Sequence, residues 1–212
     1  MQFIDFFLHI DQHLFNIVNQ FGGWSYLILF FMIFIETGVV IFPFLPGDSL
    51  LFAAAALAAT GKVNLNIFVL FAIFLGGAVL GDTMNYHIGV KVGLAASENS
   101  FFSRMINRDK MEAAQRFFEK HGGKTIALAR FVPFIRTFAP FVSGGSKMNY
   151  RHFLLFNFIG GFAWVTLCLV GGYFFGNIGF VSHHFTLVAL GIVLVSLIPV
   201  GIISLQSKLK KA

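Results

Sequence analysis

Two apolar stretches of this chain are each broken by proline, and each carries charge of a single sign. From Trp24 to Thr60 the only charges are Glu36 and Asp48, which bracket Pro43 and Pro46. From Thr125 to Ser146 the only charges are Arg130 and Arg136, which bracket Pro133. An ionised side chain at bilayer depth costs at least about 2.5–3.5 kcal/mol, so lone charges there need partners or a function. Proline removes a backbone donor and breaks a helix. The pattern predicts two broken, buried hairpins of opposite charge, which suggests a transport site.

Composition places the stretches in a membrane. The chain is 57% hydrophobic and 11% charged, with 30 phenylalanines and a mean hydropathy of +0.81. That is the composition of an integral membrane protein. Its 212 residues read as one domain without linker or low-complexity segments. A single cysteine, Cys168, excludes an intramolecular disulfide. No signal peptide is expected, since the first Lys or Arg is Lys62. The net charge of +6 is clustered, and no basic face on a soluble fold is visible, so nucleic acid is not an expected partner.

Along the chain, residues 1–22 read as an interfacial amphipathic helix, with Phe3, Phe6, Phe7, Ile10, Leu14, Ile17, Val18 and Phe21 on one face. Residues 24–60 form the first hairpin, cut by Pro43, Pro46 and Gly47. Each half is too short to cross about 30 Å at 1.5 Å per residue, so the segment reads as re-entrant. Broken backbone of this kind is tolerated only under protein or beside a water-filled cavity. Residues 64–92 form a full span containing Asp82. Residues 98–124 carry six basic and four acidic residues and read as a cytoplasmic amphipathic linker. Asp109 and Glu112 there fit a capping box, and Gly122-Gly123 ends the helix. Residues 125–146 form the second hairpin around Pro133, and 152–177 and 185–206 are ordinary spans, the latter kinked at Pro199.

The basic loop 98–124, Lys147, Arg151 and the tail Lys208, Lys210 and Lys211 belong in the cytoplasm by the positive-inside rule. The second hairpin then enters from the cytoplasm and the first from outside. Val132-Pro133-Phe134 echoes Phe42-Pro43-Phe44, and the span after each hairpin holds a Gly-Gly pair and a Tyr-x-x-Gly. The expected fold is therefore all-α and integral to the membrane. It is an inverted repeat of two re-entrant helical hairpins with about three full spans and amphipathic interfacial helices, a plan shared with secondary transporters.

Five blocks of sequence carry a resemblance. They are Glu36-Thr37-Gly38; Phe44-Leu45-Pro46-Gly47-Asp48-Ser49-Leu50-Leu51; Gly81-Asp82 with Asn85, Tyr86 and Gly89; His121-Gly122-Gly123-Lys124-Thr125; and Arg130-Phe131-Val132-Pro133-Phe134-Ile135-Arg136-Thr137. In this order, over nearly the whole chain, they resemble the DedA family of bacterial inner-membrane proteins, close to its namesake subgroup. The resemblance implies lipid translocation linked to the membrane potential or proton gradient. Undecaprenyl phosphate and phosphatidylethanolamine are among the cargoes proposed for the family. The family's acidic pair maps onto Glu36 and Asp48 and its arginine pair onto Arg130 and Arg136. Ser143-Gly144-Gly145 departs conservatively from the Ala-Gly of many members.

Beside the resemblance, the residues have their own readings. Arg130 and Arg136 either clamp hairpin carbonyls and acids or bind a headgroup phosphate, for which the planar guanidinium fork is suited. Glu36 and Asp48 are the proton or coupling carboxylates, although Asp48 also sits where a helix cap would. Asp82, Asn85 and Tyr86 fall on one stripe of a span and are expected to line the cavity wall. No metal is expected, since His183-His184 lacks a third ligand nearby. No cofactor or catalytic residue is expected either: the H-E-x-x-H motif is absent, and Ser143 lacks a neighbouring base. The expected activity is a flippase for an anionic lipid headgroup, undecaprenyl phosphate first, coupled to protons. The alternatives are a proton-coupled ion or drug antiporter and a phosphatidylethanolamine flippase or scramblase. Membrane lipids and protons are the expected partners, and a homo-oligomer is left open. The expected location is the bacterial inner membrane, multi-pass, with a cytoplasmic C-terminus.

The orientation is open to test in a Cys168→Ala background. Single cysteines at Asn107 and Ser207 are expected to react with an impermeant maleimide only from the cytoplasmic side, and one at Ser182 only from outside. External labelling of position 107 would invert the topology.

Overall fold

The computed structural model describes residues 10–39, 47–61, 63–98, 122–132 and 135–176. Its elements are α1 (Ile10–Phe21), a 3₁₀ turn (Gly22–Trp24), α2 (Ser25–Gly38), α3 (Gly47–Thr60), α4 (Ile67–Glu98), α5 (Lys124–Ala129), α6 (Ile135–Gly145) and α7 (Tyr150–Gly176). There is no strand among the described residues.

Local chemistry explains where these helices begin and end. The two long helices each start at an asparagine. Asn66 Oδ1 accepts from the N–H groups of Phe68 (2.9 Å) and Val69 (3.3 Å). Asn149 Oδ1 accepts in the same way from Arg151 (3.0 Å) and His152 (3.3 Å). These are N-caps, each satisfying donors that a helix start leaves without partners. α3 is rich in alanine, the strongest helix former, and Ala53, Ala54, Ala55 and Ala56 are all buried. It ends at Gly61, whose φ of +66° supplies the left-handed residue that commonly closes a helix.

Three helical stretches are long and apolar enough to cross a membrane: Leu14–Gly38, Ile67–Val92 and Tyr150–Phe175. The second and third coincide with expected spans. The first runs through α1, the 3₁₀ turn and α2, joining what the sequence reading divides into an interfacial helix and a hairpin arm. The Gly22-Gly23 step, with Gly22 at φ +51°, is taken as a tight turn that keeps the helical path. α4 runs on to Glu98, past the expected end of its span at 92. Two short helices, α5 and α6, of 6 and 11 residues, occupy the stretch read as the second hairpin. Pro43, Pro46 and Pro133, most of the 98–124 linker, and the 185–206 span with Pro199 lie outside the described residues.

The chain forms two compact units. The first takes its described residues from 10–32, 47–61, 63–74 and 164–176, and the second from 33–39, 75–98, 122–132 and 135–163. In the first unit, Leu14, Val18, Leu29, Leu50, Leu51, Leu70, Phe74, Val165 and Leu169 are buried. In the second, Tyr86, Ile126, Ala129, Ala139 and Phe153 form a core against which Val90, Val142, Met148 and Phe156 pack. Phe68, Leu80, Leu128, Leu155, Phe158, Leu167 and Phe174 are exposed. In water that would be a liability, but it is what helices facing hydrocarbon require.

Glycines let the helices of the second unit approach backbone to backbone. A Cβ on Gly89 would collide with the Phe141 carbonyl of α6, and one on Gly144 of α6 would collide with the Tyr86 carbonyl of α4. Small residues allow this closeness in membrane helices. Gly144→Ala is expected to destabilise the protein by about 1–3 kcal/mol, because neither backbone can yield to a methyl group. Gly23→Ala, where a Cβ meets nothing within 4 Å, is expected to stay within about 0.5 kcal/mol of native. Thermal unfolding in detergent measures both.

Candidate functional site

Helix α4 supplies the polar spine of the second unit. On it, Asp82, Asn85, Tyr86 and Gly89 follow at helical spacing, so they share one face. All four are buried.

Asp82 holds Arg130. The guanidinium donates through Nη2 to Asp82 Oδ2 and also to Asn157 Oδ1 of α7 at 2.6 Å. Asn157 in turn donates through Nδ2 to the Val79 carbonyl of α4 at 3.1 Å. A Cβ at Gly161 would stand 3.3 Å from Arg130 Nη1, so the glycine leaves room for the guanidinium. Arg130 closes the short helix α5, and this knot fastens that helix end to α4 and α7.

Arg136 lies in the first turn of α6, and its Nη2 donates to Glu36 Oε1 in the last turn of α2. Beside the pair, Asn85 reaches both helix ends at once. Its Nδ2 donates to the Thr137 carbonyl at 2.7 Å and to the Thr37 carbonyl at 3.3 Å. One buried amide on α4 therefore bonds the residue following each member of the ion pair. Asn85 Oδ1 is buried with no hydrogen-bonding partner. Pro140, inside α6, has no N–H to give the Arg136 carbonyl one turn back.

Tyr86 is a bolt between elements. Its hydroxyl donates to the Met148 carbonyl, and its ring stacks on Phe153 at 4.6 Å. Asp48 belongs to the first unit, in the first turn of α3, where the Trp164 indole N–H donates to its Oδ1 at 2.7 Å.

The structure thus brings some of the sequence-predicted residues into direct contact. Glu36 does meet Arg136. Arg130, however, takes Asp82, a residue expected only to line a wall, while Asp48 takes an indole. Asn157 and Trp164 are outside the expected set. A lone asparagine in an apolar span is itself a signal of a buried polar contact, and Asn157 could have been found that way. Nothing in the sequence marks Trp164. Chemically, the arrangement holds two guanidiniums in an apolar setting, each neutralised by a carboxylate, with Arg136 the more exposed at 17% against 6%. Such a guanidinium can exchange a carboxylate for another oxyanion of similar geometry, such as phosphate.

A family model described as the VTT domain matches residues 45–174. Protein DedA of Escherichia coli is 48% identical over 202 residues, covering 95% of this chain and 91% of that protein. An uncharacterized membrane protein of Mycobacterium leprae is 45% identical over 170 residues, covering 79% of this chain and 74% of its own. Inner membrane protein YghB of Escherichia coli is 31% identical over 180 residues, covering 85% and 78%. No solved structure matches the chain.

The Trp164–Asp48 bond yields a direct expectation. A hydrogen bond to a charged group contributes about 1.5–3 kcal/mol, so Trp164→Phe should lower stability by roughly that amount. Asp48→Asn keeps an acceptor for the indole and should cost clearly less. Thermal melts of the two variants in detergent compare them directly.

Proposed function

The chain belongs to the DedA family of VTT-domain membrane proteins, and from that premise and the geometry of its ion pairs we propose that it is a lipid translocase rather than an enzyme. It carries an anionic phosphate headgroup across the bacterial inner membrane, with undecaprenyl phosphate the first cargo to test. The observation that carries this reading is the Glu36–Arg136 pair. It joins the ends of two helices in an apolar protein, and the arginine side chain is 17% exposed while that of the glutamate is 2% exposed. Structure alone has little use for such a pair, since well-packed apolar residues of similar volume are often as stabilising.

The mechanism follows from exchange. A headgroup phosphate presents oxygens that a guanidinium binds in a fork, as it does a carboxylate. When Arg136 turns to the phosphate, Glu36 is left as a buried carboxylate without its cation, which is costly. Uptake of a proton by Glu36 relieves that cost, and its return when Arg136 comes back links lipid movement to proton movement. Asp48, the other carboxylate mapped by the family motif, is assigned to the same coupling. The re-entrant placement of the two broken segments from opposite faces, with the C-terminus in the cytoplasm, completes the proposal. It rests on the sequence's inverted repeat and on its Lys/Arg distribution.

The test is a headgroup-resolved flipping assay in proteoliposomes. Native protein should move a fluorescent polyprenyl phosphate faster than a zwitterionic lipid. Arg136→Lys keeps the charge but loses the fork, so the rate should fall by about tenfold or more while protein yield and melting hold. Full activity of Arg136→Lys would show that charge alone suffices. Equal rates for both lipids would favour a scramblase, and no lipid movement at all would overturn the reading.

A further inference from the structure

The two carboxylate–guanidinium pairs of the second unit are built for different tasks. Arg130 is enclosed. Its side chain is 6% exposed, and its Nη2 is shared between Asp82 and Asn157. Asn157, itself 1% exposed, is held by the Val79 carbonyl. A Cβ at Gly161 would stand 3.3 Å from Nη1, so the guanidinium is closely walled on that side. Turning Arg130 toward a ligand would strand a buried carboxylate and a buried amide oxygen together, each at a full desolvation cost. Arg136, by contrast, sits at a helix start with its side chain 17% exposed.

Resting on the transport reading above, we propose that the arginines divide the work: Arg136 meets the headgroup, and Arg130 is a positioning residue. Arg130 is locked by Asp82 and Asn157 so that the end of α5 stays fixed to α4 and α7. The sequence presents the two arginines as equivalents, six residues apart around one proline, and the structure makes them unequal. Asn157 is then the specific partner that fixes the guanidinium plane of Arg130. Asp82 is its counter-charge rather than part of a cavity wall.

A charge-removal experiment separates the roles, because a purely structural ion pair can be replaced by neutral groups of similar volume whereas an exchanging one cannot. Asp82→Asn with Arg130→Met is expected to recover transport of a fluorescent polyprenyl phosphate in phosphatidylcholine vesicles to within about threefold of native. Arg130→Met alone, which strands Asp82, should lose both transport and melting temperature. Glu36→Gln with Arg136→Met should stay folded, yet lose about tenfold or more of the rate. A second variant leaves every native charge in place: Asn157→Asp adds another carboxylate at Arg130. If Arg130 is a fixed strut, the KM for the lipid phosphate should stay within about threefold of native; if it must bind phosphate, KM should rise about tenfold or more. A folded Asp82→Asn/Arg130→Met protein as inactive as the Arg136 variant, or a raised KM in Asn157→Asp, would overturn the division. If native protein moves no lipid, the transport reading fails and the role given to Arg136 fails with it. Recovery of the melting temperature in the double variant over Arg130→Met then decides the strut by itself.

Discussion

A guanidinium cannot sit bare in an apolar medium, and the second unit is organised around that constraint. Arg130 and Arg136 lie six residues apart on either side of a helix break, and each must find an oxyanion inside the protein. Asp82 of α4 and Glu36 of α2 supply the oxyanions. Once these pairs are made, the positions of the short helices follow. The end of α5 is fixed to α4 and α7, and the start of α6 is fixed to the end of α2. Asn157 adds bonds to Arg130 and the Val79 carbonyl, and Asn85 adds bonds to the Thr37 and Thr137 carbonyls. Hydrogen bonds made in low dielectric are strong and offset part of the cost of burying these groups.

The outline of this arrangement is legible in the sequence for a simple reason. Lone charges within apolar runs are conspicuous, and opposite signs in separate runs must seek each other. The meeting of Glu36 from one run with Arg136 from the other follows that logic. The spans at Ile67–Val92 and Tyr150–Phe175 are legible from hydropathy and length. Which acid takes which arginine is not legible. Asp82 and Arg130 are 48 residues apart, and whether their helices bring them face to face depends on packing that composition does not encode. Asp48 resembles Glu36 as a candidate because the two bracket the same prolines, yet an indole 116 residues away claims it. The α1–α2 continuity is hidden for another reason. Asp11, His13, Asn16 and Asn19 lie off the apolar face, the pattern of an interfacial helix. A 3₁₀ turn instead carries the path onward.

Asn85 illustrates how little chemistry the site needs. Amide donors are weak beside ion pairs, but this one spans two carbonyls belonging to different helices. Each carbonyl lies one residue beyond a member of the Glu36–Arg136 pair, so the amide sets the register in which that pair can form. The ion pair supplies the attraction, and the amide holds the two helix ends where it can form.

The glycine contacts described above also bear on how this unit can move. Where Gly89 and Gly144 press against the carbonyls of Phe141 and Tyr86, the two helices are separated by backbone atoms alone. At Gly81 the end of α2 also comes close, with the Thr37 hydroxyl and the Phe34 carbonyl against it. Helices that slide past one another do so by passing side chains from groove to groove, and at Gly89 and Gly144 there is only backbone to pass. A shift along either axis would push a larger neighbouring residue into a gap cut for a hydrogen atom. Helices α4 and α6 therefore resist sliding at that contact. An exchange of partners by the Arg136 guanidinium needs no such sliding: it is a rotation about the side chain's own bonds, on the timescale of a side chain rather than of a domain.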